Sequence, residues 1–140
     1  MNYDPIFDKW HEECGVFGVF DRTIDVARYV YWGLFALQHR GQESAGIAIT
    51  DGNEVALKKG MGLLTEAIKE LPTLKSHMGT GHVRYSTTGS NNPRNIQPLV
   101  IHYQGGQIAV AHNGNLTNAL GIRRQLEADG SIFQTTDRKS

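Results

Sequence analysis

Residues 14–20 read Cys14-Gly15-Val16-Phe17-Gly18-Val19-Phe20, a short apolar run that predicts a buried strand beginning at a cysteine. Cys14 is the only cysteine of the 140-residue chain, so it has no internal disulfide partner. A lone thiol serves either as a small packed hydrophobe or as a nucleophile. Taken alone, the segment favours packing, although Gly15 and Gly18 leave room for other backbone or a ligand beside the strand.

Helical and strand-like patterns follow this first strand. Apolar residues recur at helical spacing from Ile24 to about Gln38, with Gly41 as a stop. Turn residues join strands into two predicted hairpins: Ser44–Thr50 with Glu54–Lys58, and Leu99–Tyr103 with Gln107–Ala111. The remaining predicted elements are a helix from Thr65 to Leu71 capped by Thr65, a strand from Gly79 to Tyr85, a polar loop from Ser86 to Pro98 and a helix from Asn115 to about Ala128. Hairpins with helices between them predict an α+β fold of antiparallel sheets covered by helices.

Composition limits the classes of function. Fourteen Lys and Arg balance fourteen Asp and Glu, and no basic block occurs, which argues against a nucleic-acid partner. No apolar run reaches membrane-spanning length, and the acidic residues 1–13 lack the features of a secretory signal. We therefore expect no membrane partner, a cytoplasmic location, and one domain or a piece of one.

Polar groups that a core does not need cluster at the ends of predicted elements. Besides the cysteine start, they lie in three segments: residues 38–46 (Gln-His-Arg-Gly-Gln-Glu-Ser-Ala-Gly), residues 81–89 (Gly-His-Val-Arg-Tyr-Ser-Thr-Thr-Gly) and residues 111–116 (Ala-His-Asn-Gly-Asn-Leu). Each segment alone is explained as a helix end, a strand running into a loop or an ordinary turn. Such ends also converge on functional sites in many folds.

Together, these four segments closely resemble the glutamine amidotransferase domain of the amidophosphoribosyltransferase family, which belongs to the N-terminal-nucleophile hydrolases. The resemblance runs in order from residue 14 to about 136, and residues 38–46 are its most discriminating part. Glucosamine-phosphate synthase and asparagine synthetase share the Cys-Gly start and the Asn-Gly but differ in that part. The resemblance implies as much of a four-layer αββα sandwich as 140 residues allow, with residues 14–140 an incomplete type 2 glutamine amidotransferase domain.

The resemblance also implies a mechanism. Residues 1–13 would be a propeptide, whose removal leaves Cys14 with a free α-amine that assists proton transfer from its thiol. Cys14 would then attack the side-chain amide of glutamine. The side-chain amide of Asn113 and the N–H of Gly114 would stabilise the negative charge on the amide oxygen.

For substrate binding, the resemblance implies that Arg84 pairs with the α-carboxylate of glutamine and that Arg40 and Thr87 line the same pocket. The resemblance also implies an aspartate that binds the α-amino group of glutamine and that follows Thr-Thr-Ser in the family. Here Asp137 directly follows Thr135-Thr136, one position earlier than in the family. His39, His82 and His112 are interpreted as packing or supporting groups, because their spacing shows no metal motif.

The phosphoribosyltransferase domain of the family is absent from these residues. In the intact enzyme it would use the ammonia and phosphoribosyl diphosphate to make phosphoribosylamine, the first committed step of purine biosynthesis, with Mg²⁺ as cofactor and a homo-oligomeric assembly. Some relatives carry an iron–sulfur cluster, but this segment has no spare cysteines for one, so we expect no cofactor and no metal within it.

Two other classes of function remain open. A non-catalytic or binding fragment would follow if missing strands leave sheet edges and apolar faces uncovered, and residues 1–140 alone are expected to show little glutaminase activity for that reason. A redox-sensing thiol protein would account for one cysteine but leaves the Arg84 and Asn113 segments unexplained.

Overall fold

The computed structural model describes residues 14–85, 92–114 and 116–133. Within them, strands and helices follow one another as β1 (Gly15–Phe20), α1 (Val26–Ala36), β2 (Ser44–Thr50), β3 (Val55–Met61), α2 (Leu64–Ala67), β4 (Met78–Arg84), β5 (Leu99–Tyr103), β6 (Gly106–Val110) and α3 (Ala119–Ala128). Two single 3-10 turns cover Gln38–Arg40 and Pro93–Asn95. No helix in this part of the chain is long and apolar enough to cross a membrane.

The larger sheet has the strand order β1-β4-β2-β3, and every neighbouring pair is antiparallel. Gly15 pairs with Val83, while Ser44 pairs with Arg84. Because β4 runs opposite to both neighbours, its carboxyl end lies between the starts of β1 and β2. This register brings Cys14, one residue before β1, to the end of β4.

The hydrophobic core lies between one face of this sheet and the helices. Val26, Val30 and Leu34 form the buried side of α1, and α2 adds Leu64 to the same cluster. A Cβ at Gly81 would lie 2.6 Å from Leu34 Cδ1, so a side chain there would prevent α1 from packing this close to β4. The helices therefore anchor β4, and with it the strand end that meets Cys14.

The opposite face of the large sheet is covered in part by the β5–β6 hairpin and the segment before it. The side-chain oxygen of Gln107 accepts a hydrogen bond from the Val55 N–H at 2.6 Å. A Cβ at Gly46 would collide with the carbonyl of Gln97. Towards the far ends of β1 and β4, a cavity of about 620 Å³ lies between Gly18, Phe20 and Thr80 of the sheet and Ile108 of β6.

The predicted α+β class with antiparallel, helix-covered sheets is confirmed, as are both hairpins and the strands around Val16–Phe20 and Gly79–Tyr85. The predicted cap of the short helix is wrong, because α2 begins at Leu64 and Thr65 lies inside it. Glu66 Oε2 accepts from Leu63 N–H, and Gln38 accepts from Leu64 N–H, so a local acid and a distant amide replace the threonine cap. The last helix begins at Ala119, four residues later than predicted.

Candidate active site

The thiol of Cys14 lies buried against the residue that follows β4. Its Sγ is 3.7 Å from the Tyr85 carbonyl oxygen, and the Tyr85 N–H donates to Sγ at 3.5 Å. Both contacts involve main-chain atoms, so they require no particular side chain at position 85. The sulfur is therefore held at the sheet edge by the backbone of the neighbouring strand.

The carbonyl of Cys14 receives two donors from segments far away in sequence. Nδ2 of Asn113 donates to it at 2.6 Å, and Nε of Arg40 donates to it at 3.4 Å. The two contacts fix the main chain of the cysteine from two sides. They also place the Asn113 amide and the Arg40 guanidinium beside the residue that carries the thiol.

Arg40 reaches Cys14 because the loop between α1 and β2 crosses the end of β4 in close contact. A Cβ at Gly41 would lie 2.6 Å from the Val83 carbonyl carbon and 2.7 Å from the main chain of Arg84. Gln38 braces this loop, since its amide nitrogen donates to the Gly41 carbonyl at 2.5 Å and its amide oxygen accepts from Leu64 N–H at 2.7 Å. The loop is thus set by backbone packing and by one bridging side chain.

The guanidinium of Arg84 is held by two groups that the sequence interpretation missed. Its Nε lies 3.4 Å from Oε2 of Glu43, and its Nη1 donates to the Asn95 carbonyl at 2.9 Å. Glu43 lies within the quoted segment 38–46, but its charge alone did not distinguish it from a solvated acid. Its burial beside an arginine, which only the fold shows, is the distinguishing signal.

The segment after β6 brings the Asn113 side chain and the neighbouring Gly114 to the same end of the large sheet. His112 N–H donates to the buried side chain of Gln97 at 2.6 Å, which anchors the segment two residues before Gly114. Gly114 has a φ of +143°, a region that favours glycine. An alanine there would be strained, so the orientation of this peptide depends on the absence of a side chain.

The structure therefore brings Cys14, Arg40, Arg84, Asn113 and Gly114 to one end of the large sheet. Thr87, Asp137 and the whole of residues 1–13 lie outside the described residues. His39 is exposed and His82 is buried in β4. In the described part of the chain, no group of three or more His, Cys, Asp or Glu side chains is placed to hold a metal ion.

Comparison with known proteins gives a family for this arrangement. Residues 37–133 match the sequence profile of the class-II glutamine amidotransferases. The chain is 49% identical to the amidophosphoribosyltransferase of Bacillus subtilis over 129 residues, which cover 90% of this chain and 27% of the relative. It is 48% identical over 126 residues to that of Methanocaldococcus jannaschii, covering 88% of this chain and 27% of the relative.

Solved structures show the same likeness in three dimensions. The glutamine phosphoribosylpyrophosphate amidotransferase from B. subtilis superposes with a TM-score of 0.79 at 45% identity, over 89% of this chain and 27% of that one. A structure described as the allosteric regulatory enzyme of purine biosynthesis gives a TM-score of 0.77 at 44% identity, over 86% of this chain and 26% of that one. The chain thus spans about a quarter of the length of these relatives.

Proposed function

The chain belongs to the class-II glutamine amidotransferases, and we propose that it forms the glutamine-hydrolysing site of an amidophosphoribosyltransferase. One observation carries the proposal: donors from three distant segments, Arg40, Tyr85 and Asn113, converge on the chain's single cysteine. A cysteine that served packing alone would not need a guanidinium and a side-chain amide on its own carbonyl. The names of the similar enzymes support glutamine as the substrate.

We propose that residues 1–13 are removed, so that Cys14 carries a free α-amine. An α-amine has a pKa of about 7.7–8.0, so a useful fraction is unprotonated at neutral pH and can accept the thiol proton. The sulfur attacks the side-chain amide carbon of glutamine, the carbon–nitrogen bond breaks, and ammonia leaves with the transferred proton. Water then hydrolyses the glutamyl thioester, which releases glutamate and restores the thiol.

Negative charge on the amide oxygen needs donors that are already in place. An Asn amide has two N–H groups, so the Asn113 side chain can keep its contact with the Cys14 carbonyl and direct its second hydrogen to the oxyanion. The Gly114 N–H is the second donor of the proposal. Loss of one such donor typically costs about 3–4 kcal/mol in the transition state.

Arg84 is the proposed partner of the glutamine α-carboxylate. It lies at the same strand end as the thiol, and its planar guanidinium suits a carboxylate. Arg40 lies close enough to line the same pocket, since it contacts the Cys14 carbonyl. Thr87 as a pocket residue and Asp137 as the partner of the α-amino group stay predictions.

We further propose that the ammonia is transferred to phosphoribosyl diphosphate by a part of the enzyme outside these residues, in a cytoplasmic homo-oligomer. Mg²⁺ would belong to that transfer. An iron–sulfur cluster would require four thiolates, which this chain with its single cysteine does not supply.

The test uses a chimera that carries residues 1–133 of this chain in place of the matching segment of the B. subtilis relative, beside the purified protein itself. The chimera should release glutamate and ammonia from L-glutamine, and Cys14→Ala should abolish the release while leaving the melting temperature within a few degrees. Equal glutamate formation by Cys14→Ala would refute the proposed nucleophile.

A further inference from the structure

Glu43 is a largely buried charged group that the proposed mechanism does not use. Its side chain is 13% exposed, that of Arg84 is 11% exposed, and Glu43 Oε2 lies 3.4 Å from Arg84 Nε. Within the described part of the chain Oε2 accepts no hydrogen bond, so its contact with Arg84 Nε is an ion pair. A carboxylate removed from water in this way requires a compensating charge, and the guanidinium supplies it.

The main chain of Glu43 is fixed to the same arginine. Its N–H donates to the Arg84 carbonyl at 3.0 Å, and its own carbonyl accepts from Gly62 N–H at 2.7 Å. Glu43 and Arg84 are therefore joined through main chain and side chain together. The main-chain contacts fix the point at which the Glu43 side chain leaves the backbone relative to Arg84.

The guanidinium is planar, and a bidentate partner recognises its plane as well as its charge. Glu43 holds Nε, and the carbonyl of the buried residue Asn95 holds Nη1 at 2.9 Å. Contacts on two different nitrogens fix both the position and the tilt of the group. Because a guanidinium has five N–H donors, these two contacts are compatible with a third partner.

We propose that Glu43 is a positioning residue, which sets the plane of Arg84 for the α-carboxylate of the substrate. The inference rests on the proposed function, in which Arg84 binds glutamine. The competing role for Glu43 is that of an internal anion that occupies Arg84 and is displaced by substrate. The burial of Glu43 and its two main-chain hydrogen bonds favour positioning, because displacement would leave a buried carboxylate without its counter-charge.

Variants at position 43 distinguish these roles, with kinetics measured on the purified protein and on the chimera. Glu43→Ala removes the carboxylate that pairs with Nε, and the KM for L-glutamine should rise about tenfold with kcat changed less than about threefold. Glu43→Gln keeps an acceptor oxygen of the same reach, so its KM should stay within about threefold of the parent. An internal competitor predicts the opposite sign, with KM lowered by both variants, and that result would overturn the inference.

Two further arms separate positioning from a general structural effect. The first uses 4-aminobutanamide, which is glutamine without the α-carboxylate, and Glu43→Ala should leave its kcat/KM within about twofold. The second introduces Glu43→Ala into an Arg84→Ala background, where it should add no further increase in KM. Equal losses for both substrates, or fully additive effects of the two substitutions, would also overturn the inference.

Failure of the proposed function would look different. If Arg84→Ala itself leaves the KM for L-glutamine unchanged, the assigned carboxylate contact is wrong and the role of Glu43 falls with it. If Arg84→Ala raises KM while Glu43→Ala does not, only the role of Glu43 is wrong. If Glu43→Ala no longer melts cooperatively, Glu43→Asp serves instead, because it draws the carboxylate back from Arg84 by one methylene. The KM for L-glutamine should then still rise several-fold, and an unchanged KM would contradict the proposal.

Discussion

Gly41→Ala should disable the site without touching any group that reacts. Gly41 has extended backbone angles, φ −162° and ψ 122°, which alanine adopts without strain, so the effect of the added methyl group is purely steric. The new Cβ would lie 2.6 Å from the Val83 carbonyl carbon and 2.7 Å from Arg84 main-chain atoms. Ordinary contact begins at 3.4 Å, so the loop must move away from β4 by about 0.8 Å.

That displacement acts on Arg40 and Glu43, which flank the glycine in the loop. The Arg40–Cys14 contact is already 3.4 Å long, and a further movement of this size would break it. Because a misplacement of about 1 Å can cost about a hundredfold in rate, we expect kcat/KM for glutamine hydrolysis in the chimera to fall by about tenfold to a hundredfold. Steady-state glutamate formation measures this change, and the melting temperature measured alongside separates it from unfolding.

The matched controls are the same substitution where the structure has room. At Gly18 the nearest atom to a new Cβ is 3.8 Å away, and at Gly121 nothing lies within 4 Å. Gly18→Ala should keep parental activity, and Gly121→Ala should in addition favour α3 by about 1 kcal/mol. Gly41→Ala with kcat/KM within about twofold of the parent would refute the argument that close backbone packing positions this loop.

Four further predictions concern single groups. Arg84→Ala should mainly raise the KM for glutamine, because a carboxylate clamp contributes to ground-state binding, and an unchanged glutamine dependence would rule out the contact. Asn113→Ala should lower kcat by about a hundredfold or more, as for other oxyanion donors, and a parental kcat would show that its amide only supports the Cys14 carbonyl. N-terminal sequencing of active protein should begin at Cys14, whereas Met1 in active protein would exclude the free α-amine. Hydrogen bonds from the N–H groups of Glu54 and Asn53 hold the pKa of Asp51 below its usual value. The ionised Asp51 therefore stabilises the fold above pH of about 4, and this contribution is lost as the pH falls through the lower pKa of the folded state. In Asp51→Ala, the free energy of unfolding should fall less steeply as the pH is lowered through this range.

Local patterns in the sequence were sufficient for most of the fold. The hairpin β2–β3 follows from two strand-like runs around Asp51-Gly52-Asn53, and α1 follows from apolar residues at helical spacing. The cap of α2 was not predictable in this way, because Gln38 supplies its acceptor from 26 positions earlier in the chain. A side chain that meets its partner only after folding leaves no periodic signal.

In the candidate site, too, only some of the residues could be predicted from the sequence. Cys14, Arg84 and Asn113 stood out as reactive or polar groups at the ends of predicted elements, and the fold brings their segments together. Glu43 did not stand out, because its importance depends on burial beside Arg84. The partner of the Arg84 Nη1 is a main-chain carbonyl, that of Asn95, and any residue type there would provide the same atom.

Whether Cys14 is the nucleophile can be tested by labelling the protein and the chimera with 6-diazo-5-oxo-norleucine, a diazoketone analogue of glutamine that alkylates a reactive thiol with loss of N₂. Intact mass and peptide mapping then locate the label. We expect one adduct per chain, on a Cys14 that is the first residue, with labelling slowed by L-glutamine and strongly reduced in Arg84→Ala. Labelling at any other residue, or glutamate formation that continues after Cys14 is fully alkylated, would contradict it.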